Sequence, residues 1–80
     1  MKRRIPSRVN VSSAAIASIG HDAETRLLEI EFQPEPGRPG RVYLYRDVPR
    51  HVYHDLLAAP SAGTYFARNV RNFYPFQRSR

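Results

Sequence analysis

The chain of 80 residues contains no cysteine, so disulfide bonds and metal sites built on thiolates are excluded. Its N-terminal segment, MKRRIP, begins like a signal peptide, but no apolar stretch follows the basic residues. No hydrophobic run reaches the length of about 20 residues that a membrane-spanning helix requires. We therefore expect a soluble cytoplasmic protein in a reducing compartment.

Residue sets that would carry catalysis are also missing. Ser12, Ser13 and Ser61 have no base and orienting acid at a recognisable spacing, and the chain has no glycine-rich phosphate loop. His51 and His54 are three residues apart, but a zinc site usually takes three or four ligands. We predict no enzymatic activity, no cofactor and no metal site.

Acidic residues are absent from both ends of the chain, although the net charge is only +6. The residues before Val11 and those from Arg68 onward carry +4 each, which leaves −2 for the middle. All but one of the 13 basic residues are arginine, whose planar guanidinium suits phosphate. The alternative is that basic ends only keep a small protein soluble. Binding to nucleic-acid phosphates would be carried by Lys2, Arg3, Arg4, Arg8, Arg68, Arg71 and Arg78.

Three segments with the character of β-strands follow one another, at residues 14–21, 26–33 and 41–46. In the second segment Leu28, Ile30 and Phe32 alternate with polar residues, so one face is apolar. Residues 34–40 contain three prolines and two glycines, which exclude a helix or a central strand. The pattern predicts a three-stranded antiparallel β-meander.

Two helices are predicted after the strands. Pro49 suits the first turn of a helix, Pro60 ends that helix, and Ser61 can cap the next one. In the second helix Phe66 and Phe73 are seven residues apart and would share the face that packs on the core. The predicted fold class is α+β, with the meander followed by two C-terminal helices on one side of the sheet.

The third predicted strand is apolar on both faces, with Tyr43 and Tyr45 on one face and Val42 and Leu44 on the other. Packing of the tyrosines in the core is favoured because a small domain needs their buried area. The functional alternative is that they stack on nucleobases. In a separate hypothesis, which is the alternative function, Val42 and Leu44 form an exposed apolar surface for protein interaction or a homodimer, and the basic charge only keeps the protein soluble.

Several segments resemble the KTSC domain. In chain order they are VSS at 11–13, IASIG at 16–20, YLY at 43–45, DVP at 47–49 and SAGTYF at 61–66. The family takes its name from the C-terminal region of some lysyl-tRNA synthetases, and it includes stand-alone bacterial proteins. The resemblance implies a protein of this stand-alone kind.

The family has no established activity, and its synthetase context implies RNA binding. That implication agrees with the basic ends, so we predict a small module that binds RNA or DNA with low sequence specificity, mainly through phosphates. The domain would span residues 11–74, between a flexible basic arm at 1–10 and a basic tail at 75–80. The prediction requires both basic ends to converge on one patch.

Overall fold

The alternating segments of the sequence form neighbouring strands of one antiparallel sheet in the computed structural model, which describes residues 8–79. Helices α1 (Arg50–Ala58) and α2 (Ala62–Asn69) stand between the fourth and fifth strands in the chain. The α+β class is confirmed, but three strands are an undercount. The five strands lie in chain order and are β1 Arg8–Asn10, β2 Ile16–Asp22, β3 Leu27–Phe32, β4 Val42–Tyr45 and β5 Phe76–Arg78.

The two strands that the sequence did not predict are the edges of the sheet. β1 pairs with β2, and β5 pairs with β4, each over three residues. They lie in the segments predicted as a basic arm and a basic tail, where no alternation of apolar side chains marks a strand. Their pairing satisfies backbone hydrogen-bonding groups of the inner strands. Any residue except proline can supply both backbone groups, so this pairing leaves no signal in the side chains.

A β-bulge sets the phase of β2. The register shifts between Ile16 and Ser18, which leaves Ala17 as an extra residue. Side chains alternate along a strand, so without the bulge Ile16 and Ile19 would point to opposite faces. With it, both isoleucines are fully buried in the same core.

Both helices begin where the sequence predicts. Pro49 precedes α1, and the Ser61 hydroxyl at the start of α2 accepts a hydrogen bond from the Thr64 amide at 3.2 Å. Among residues 8–79, neither helix is long and apolar enough to cross a membrane. The helices cover one face of the sheet, where the core contains Ile19, Leu28, Ile30, Tyr45, Val52, Leu56, Phe66 and Val70.

The prediction that Phe73 belongs to this core was wrong. Helix α2 ends at Asn69, and the amides of Val70 and Arg71 both donate to the carbonyl of Phe66 as the chain turns. Phe73 lies beyond this turn and is 68% exposed. The helical spacing of seven residues therefore carries no meaning at that position.

The connection between β3 and β4 is held by its own backbone. The Phe32 amide donates to the Arg41 carbonyl at 2.8 Å, and Glu35 and Arg38 exchange amide hydrogen bonds at 2.8 and 3.0 Å. A Cβ at Gly40 would lie 2.8 Å from the Phe32 carbonyl oxygen, so a side chain there would displace the backbone. The absence of a side chain at Gly40 thus lets the backbone pass close to the Phe32 carbonyl just before Arg41.

Candidate functional site: an aromatic groove

A groove of about 450 Å³ opens on the helix side of the sheet, near β5. Strands β3, β4 and β5 contribute to it together with α2 and the turn that follows. Its volume lies in the range of about 300–1,000 Å³ that is usual for ligand sites. We call it the aromatic groove, after the lining residues Phe32, Tyr43, Tyr45, Phe66 and Phe76.

The strand register brings three of these rings together. Tyr45 is opposite Phe76 across β4 and β5, and Tyr43 shares their face because side chains alternate. The rings of Tyr43 and Phe76 are stacked, with centroids 5.3 Å apart and planes 26° apart. Tyr45 lies 5.4 Å from Phe76. The groove therefore has a set of three rings on its sheet side whose planes lie within 35° of one another.

The remaining two rings, Phe32 and Phe66, contact each other edge-on at 5.4 Å and pack against this set. Phe32 meets Tyr43 edge-on at 5.6 Å, and Phe66 meets Tyr45 edge-on at 5.5 Å. Exposure differs sharply within the cluster, since Tyr45 is 3% exposed whereas Phe76 is 54% exposed. Tyr45 is thus a core residue, as the sequence favoured, while Tyr43 is half-buried and Phe76 offers ring surface to solvent.

Two arginines flank the aromatic groove. The guanidinium carbon of Arg71 lies 5.5 Å from the centre of the Phe66 ring, and that of Arg41 lies 6.0 Å from the centre of the Phe32 ring. Both geometries are those of cation–π contacts. Glu35 also lines the groove, and its carboxylate pairs with Arg38 at 3.5 Å.

Burial raises the pKa of the Tyr45 hydroxyl above the ordinary tyrosine value, and the neighbouring Tyr43 raises it further, whereas Arg71 lowers it. The phenol therefore stays neutral at any physiological pH. The groove keeps the positive charge of its arginines without a phenolate beside them.

Of the arginines predicted from the C-terminal end, Arg71 and Arg78 lie on the groove side. Arg71 lines the groove, and Arg78 is the strand partner of Tyr43 and so shares its face. Arg68 lines a separate notch of about 290 Å³ beside Pro60. The two arginines of the Arg68–Arg71 pair do not share a helix face, because α2 has ended before Arg71.

The N-terminal arginine that the structure describes lies elsewhere. Arg8 is in β1, at the edge of the sheet opposite to β5, about 19 Å away for four strand spacings. Its guanidinium pairs with the Glu29 carboxylate at 3.1 Å, on the face away from the helices. Arg8 therefore does not join the arginines of the groove. The predicted contacts Lys2, Arg3 and Arg4 lie outside the described residues.

The exposed apolar surface predicted for Val42 and Leu44 is absent. Both lie on the opposite face from Tyr43 and Tyr45, as expected, but they are only 2% and 8% exposed. The face of β4 that carries Val42 and Leu44 is therefore buried. A homodimer through these two side chains would first require them to become accessible.

Arg41 was not predicted as a site residue because it lies in the segment whose net charge is negative. A usable signal was present, since Arg41, Tyr43 and Tyr45 are spaced at period two and so belong to one face of a strand. The contributions of Phe32 and Phe66 depend on contacts between distant segments, for which the sequence has no local signal.

Comparison with known proteins gives one consistent result. A family model described as the KTSC domain matches residues 12–74. A crystal structure of a KTSC domain protein from Yersinia pestis is similar with a TM-score of 0.82 and 29% identity, covering 95% of this chain and 100% of that one.

Two sequence relatives are more similar in sequence. An uncharacterised protein of Stutzerimonas stutzeri is 39% identical over 59 residues, which is 74% of this chain and 76% of the relative. A protein of Tsukamurella paurometabola is 40% identical over 55 residues, or 69% of this chain and 75% of the relative. Neither description states an activity.

Proposed function

The chain belongs to the KTSC domain family, and from that premise we propose that it is a small nucleic-acid-binding module whose arginines contact backbone phosphates beside the aromatic groove. The observation that carries the proposal is that Arg41 and Arg71 both line that groove, each over one of two rings that contact each other edge-on, Phe32 and Phe66. Guanidinium groups held over ring faces keep their N–H edges available, and these edges suit phosphate oxygens.

Charge on the groove side supports the same ligand. Arg78 is the strand partner of Tyr43 and shares its face, and the lining carboxylate of Glu35 has its own partner in Arg38. The resemblance to the C-terminal region of some lysyl-tRNA synthetases favours RNA among nucleic acids. Binding through phosphates alone would carry little sequence specificity.

The size of the arginine set predicts how binding responds to salt. If Arg41, Arg71 and Arg78 each neutralise one phosphate, log K should fall with log salt at a slope of about −2 for single strands and about −3 for duplex DNA. Modest affinity follows from so few contacts, with dissociation constants between about 1 and 100 μM at low salt.

A titration of labelled oligonucleotides over a salt series tests this proposal. Arg71→Gln should weaken binding about fivefold and make the slope shallower by about 0.7 on single strands, because one phosphate contact is lost. Arg68→Gln is the matched control, since it removes the same charge three residues away at a different notch. Wild-type protein that binds no oligonucleotide more tightly than about 100 μM at low salt would overturn the proposal.

Self-assembly without a nucleic-acid ligand was the alternative function. Val42 and Leu44, the residues that motivate it, are buried, so their placement does not support self-assembly through them. A homodimer formed through another surface stays a prediction. Light scattering on the titration samples, with and without oligonucleotide, measures the oligomeric state directly.

A further inference from the structure

The aromatic groove offers ring surface that phosphate binding alone does not use. Phe76 is 54% exposed and Tyr43 is half-buried, yet both belong to one stacked pair. We propose that this pair stacks on an unpaired nucleobase, so that the protein binds single strands in preference to duplexes. The inference rests on the proposed function and adds to it the class of nucleic acid.

The geometry of the ring pair is suited to stacking. The planes of Tyr43 and Phe76 differ by 26°, those of Tyr43 and Tyr45 by 21° and those of Tyr45 and Phe76 by 35°, so these three rings face in similar directions. Edge-on contacts from Phe32 and Phe66 hold Tyr43 and Tyr45, the two rings against which Phe76 packs. A base that stacks on them therefore meets a surface that is already ordered, which lowers the entropic cost of binding.

Arg41 and Arg71 place positive charge over two rings of the groove, Phe32 and Phe66. Neither of these contacts is to Phe76, which is 54% exposed. A strand with one base in the groove would bring its flanking phosphates toward these guanidinium groups. Single-strand binders combine aromatic rings and basic side chains in this way.

A duplex does not satisfy the same arrangement. Its bases are paired and stacked in the helix interior, so their faces cannot reach rings inside a groove of about 450 Å³. It can only offer phosphates to the arginines. Base faces thus provide the contact that distinguishes the two ligands.

Strands with and without bases provide the test. A labelled single strand of about ten nucleotides is compared with a strand of equal length built from abasic units, which has the same phosphate charge, and with the matching duplex. We expect the strand with bases to bind about tenfold more tightly than the abasic strand. The protein has five tyrosines and no tryptophan, so quenching of its tyrosine emission by the bases is a second readout on unmodified protein.

Substitution of the exposed rings locates the contact. Phe76→Leu should remove most of the advantage of the strand with bases and leave binding of the abasic strand unchanged. Phe73→Leu is the matched control, because Phe73 is even more exposed and does not line the groove. Equal losses in the two variants would place the contact outside the groove and overturn the inference.

The two proposals fail in different ways. If strands with and without bases bind equally, with the expected salt dependence, stacking is overturned and phosphate binding stands. If no oligonucleotide binds at low salt, the proposed function falls and the inference falls with it. Tenfold preference for bases, lost in Phe76→Leu alone, supports both.

Discussion

The two faces of the sheet carry opposite chemistry, although the same strands supply both. On the face away from the helices, Glu29 and Glu31 of β3 are the partners of Leu44 and Val42 of β4. One residue along β4, Tyr43 points to the helix side and lines the aromatic groove. The alternation of side chains thus sorts charge by face. Charge counted along the chain, which assigns −2 to this region, does not describe either face.

Arginine plays a different part on each face. Arg8 is held 3.1 Å from the buried Glu29 carboxylate, so its charge is used within the fold. Arg71 lies over the face of the Phe66 ring, where our proposal assigns its charge to a phosphate. Basic residues at the two ends of a chain can therefore do unrelated work. Their shared contribution to the net charge of +6 does not show a shared ligand.

The largest expected effect comes from adding a carboxylate to the face away from the helices, which we call the acidic face after Glu29 and Glu31. Leu44→Glu would bury a charge opposite Glu29. Desolvation of that charge and its repulsion from Glu29 should lower the unfolding free energy by roughly 3 kcal/mol or more. Urea denaturation followed by circular dichroism measures the loss. We expect no direct effect on the contacts of the aromatic groove, which should be lost only when the whole domain unfolds.

Gln77→Glu is the control for this substitution. Gln77 is the partner of Leu44 on β5, so it shares the acidic face, but it is exposed. We expect a change below about 0.5 kcal/mol. If Leu44→Glu were as mild as Gln77→Glu, burial of this face in solution would be disproved, and self-assembly through Val42 and Leu44 would regain its basis.

A smaller loss of stability is expected when Arg8, which pairs with Glu29 on the acidic face, is replaced. Arg8→Met removes the partner of Glu29, whose carboxylate is buried and has one oxygen without a hydrogen-bond donor already. We expect a loss of about 2 kcal/mol in unfolding free energy. The double variant Arg8→Met with Glu29→Gln should recover part of it, because the unpaired charge is gone. Nucleic-acid affinity should stay within about twofold of the wild type, since Arg8 lies far from the groove. A larger drop in affinity would return Arg8 to the binding surface.

Local sequence signals predicted the inner parts of the fold. Period two located β3 and β4, and the residues Pro49 and Ser61 located the starts of both helices. The edge strands β1 and β5 were not predicted, because their pairing rests on backbone hydrogen bonds that leave no pattern in the side chains. The end of α2 also escaped, since its turn at Val70 has no glycine or proline to mark it.

The site was predicted in part and for mixed reasons. Tyr43 and Tyr45 were placed on one face by their spacing, and Arg71 was selected for its charge. What brings them together is tertiary: β5 returns beside β4 after two helices, and Phe66 packs edge-on against Tyr45. Such contacts between distant segments cannot be read from composition or periodicity. The expectation that Arg8 would converge with them failed for the same reason.

The smallest expected effect concerns Tyr45 and measures how well the core beneath the groove excludes water. Burial raises the pKa of Tyr45, so its neutral form is favoured in the folded protein. The stability that this provides is complete below the unfolded tyrosine pKa of about 10 and is lost as pH rises through the higher folded pKa. Tyr45→Phe cannot ionise, so its unfolding free energy should decline less between about pH 10 and 12 than that of the wild type. Below about pH 9 the difference between the two proteins should be constant, because neither side chain is charged there. Parallel curves through the alkaline range would mean that water reaches the Tyr45 hydroxyl, and the contrast in burial between Tyr45 and Phe76 would then be smaller than the structure gives.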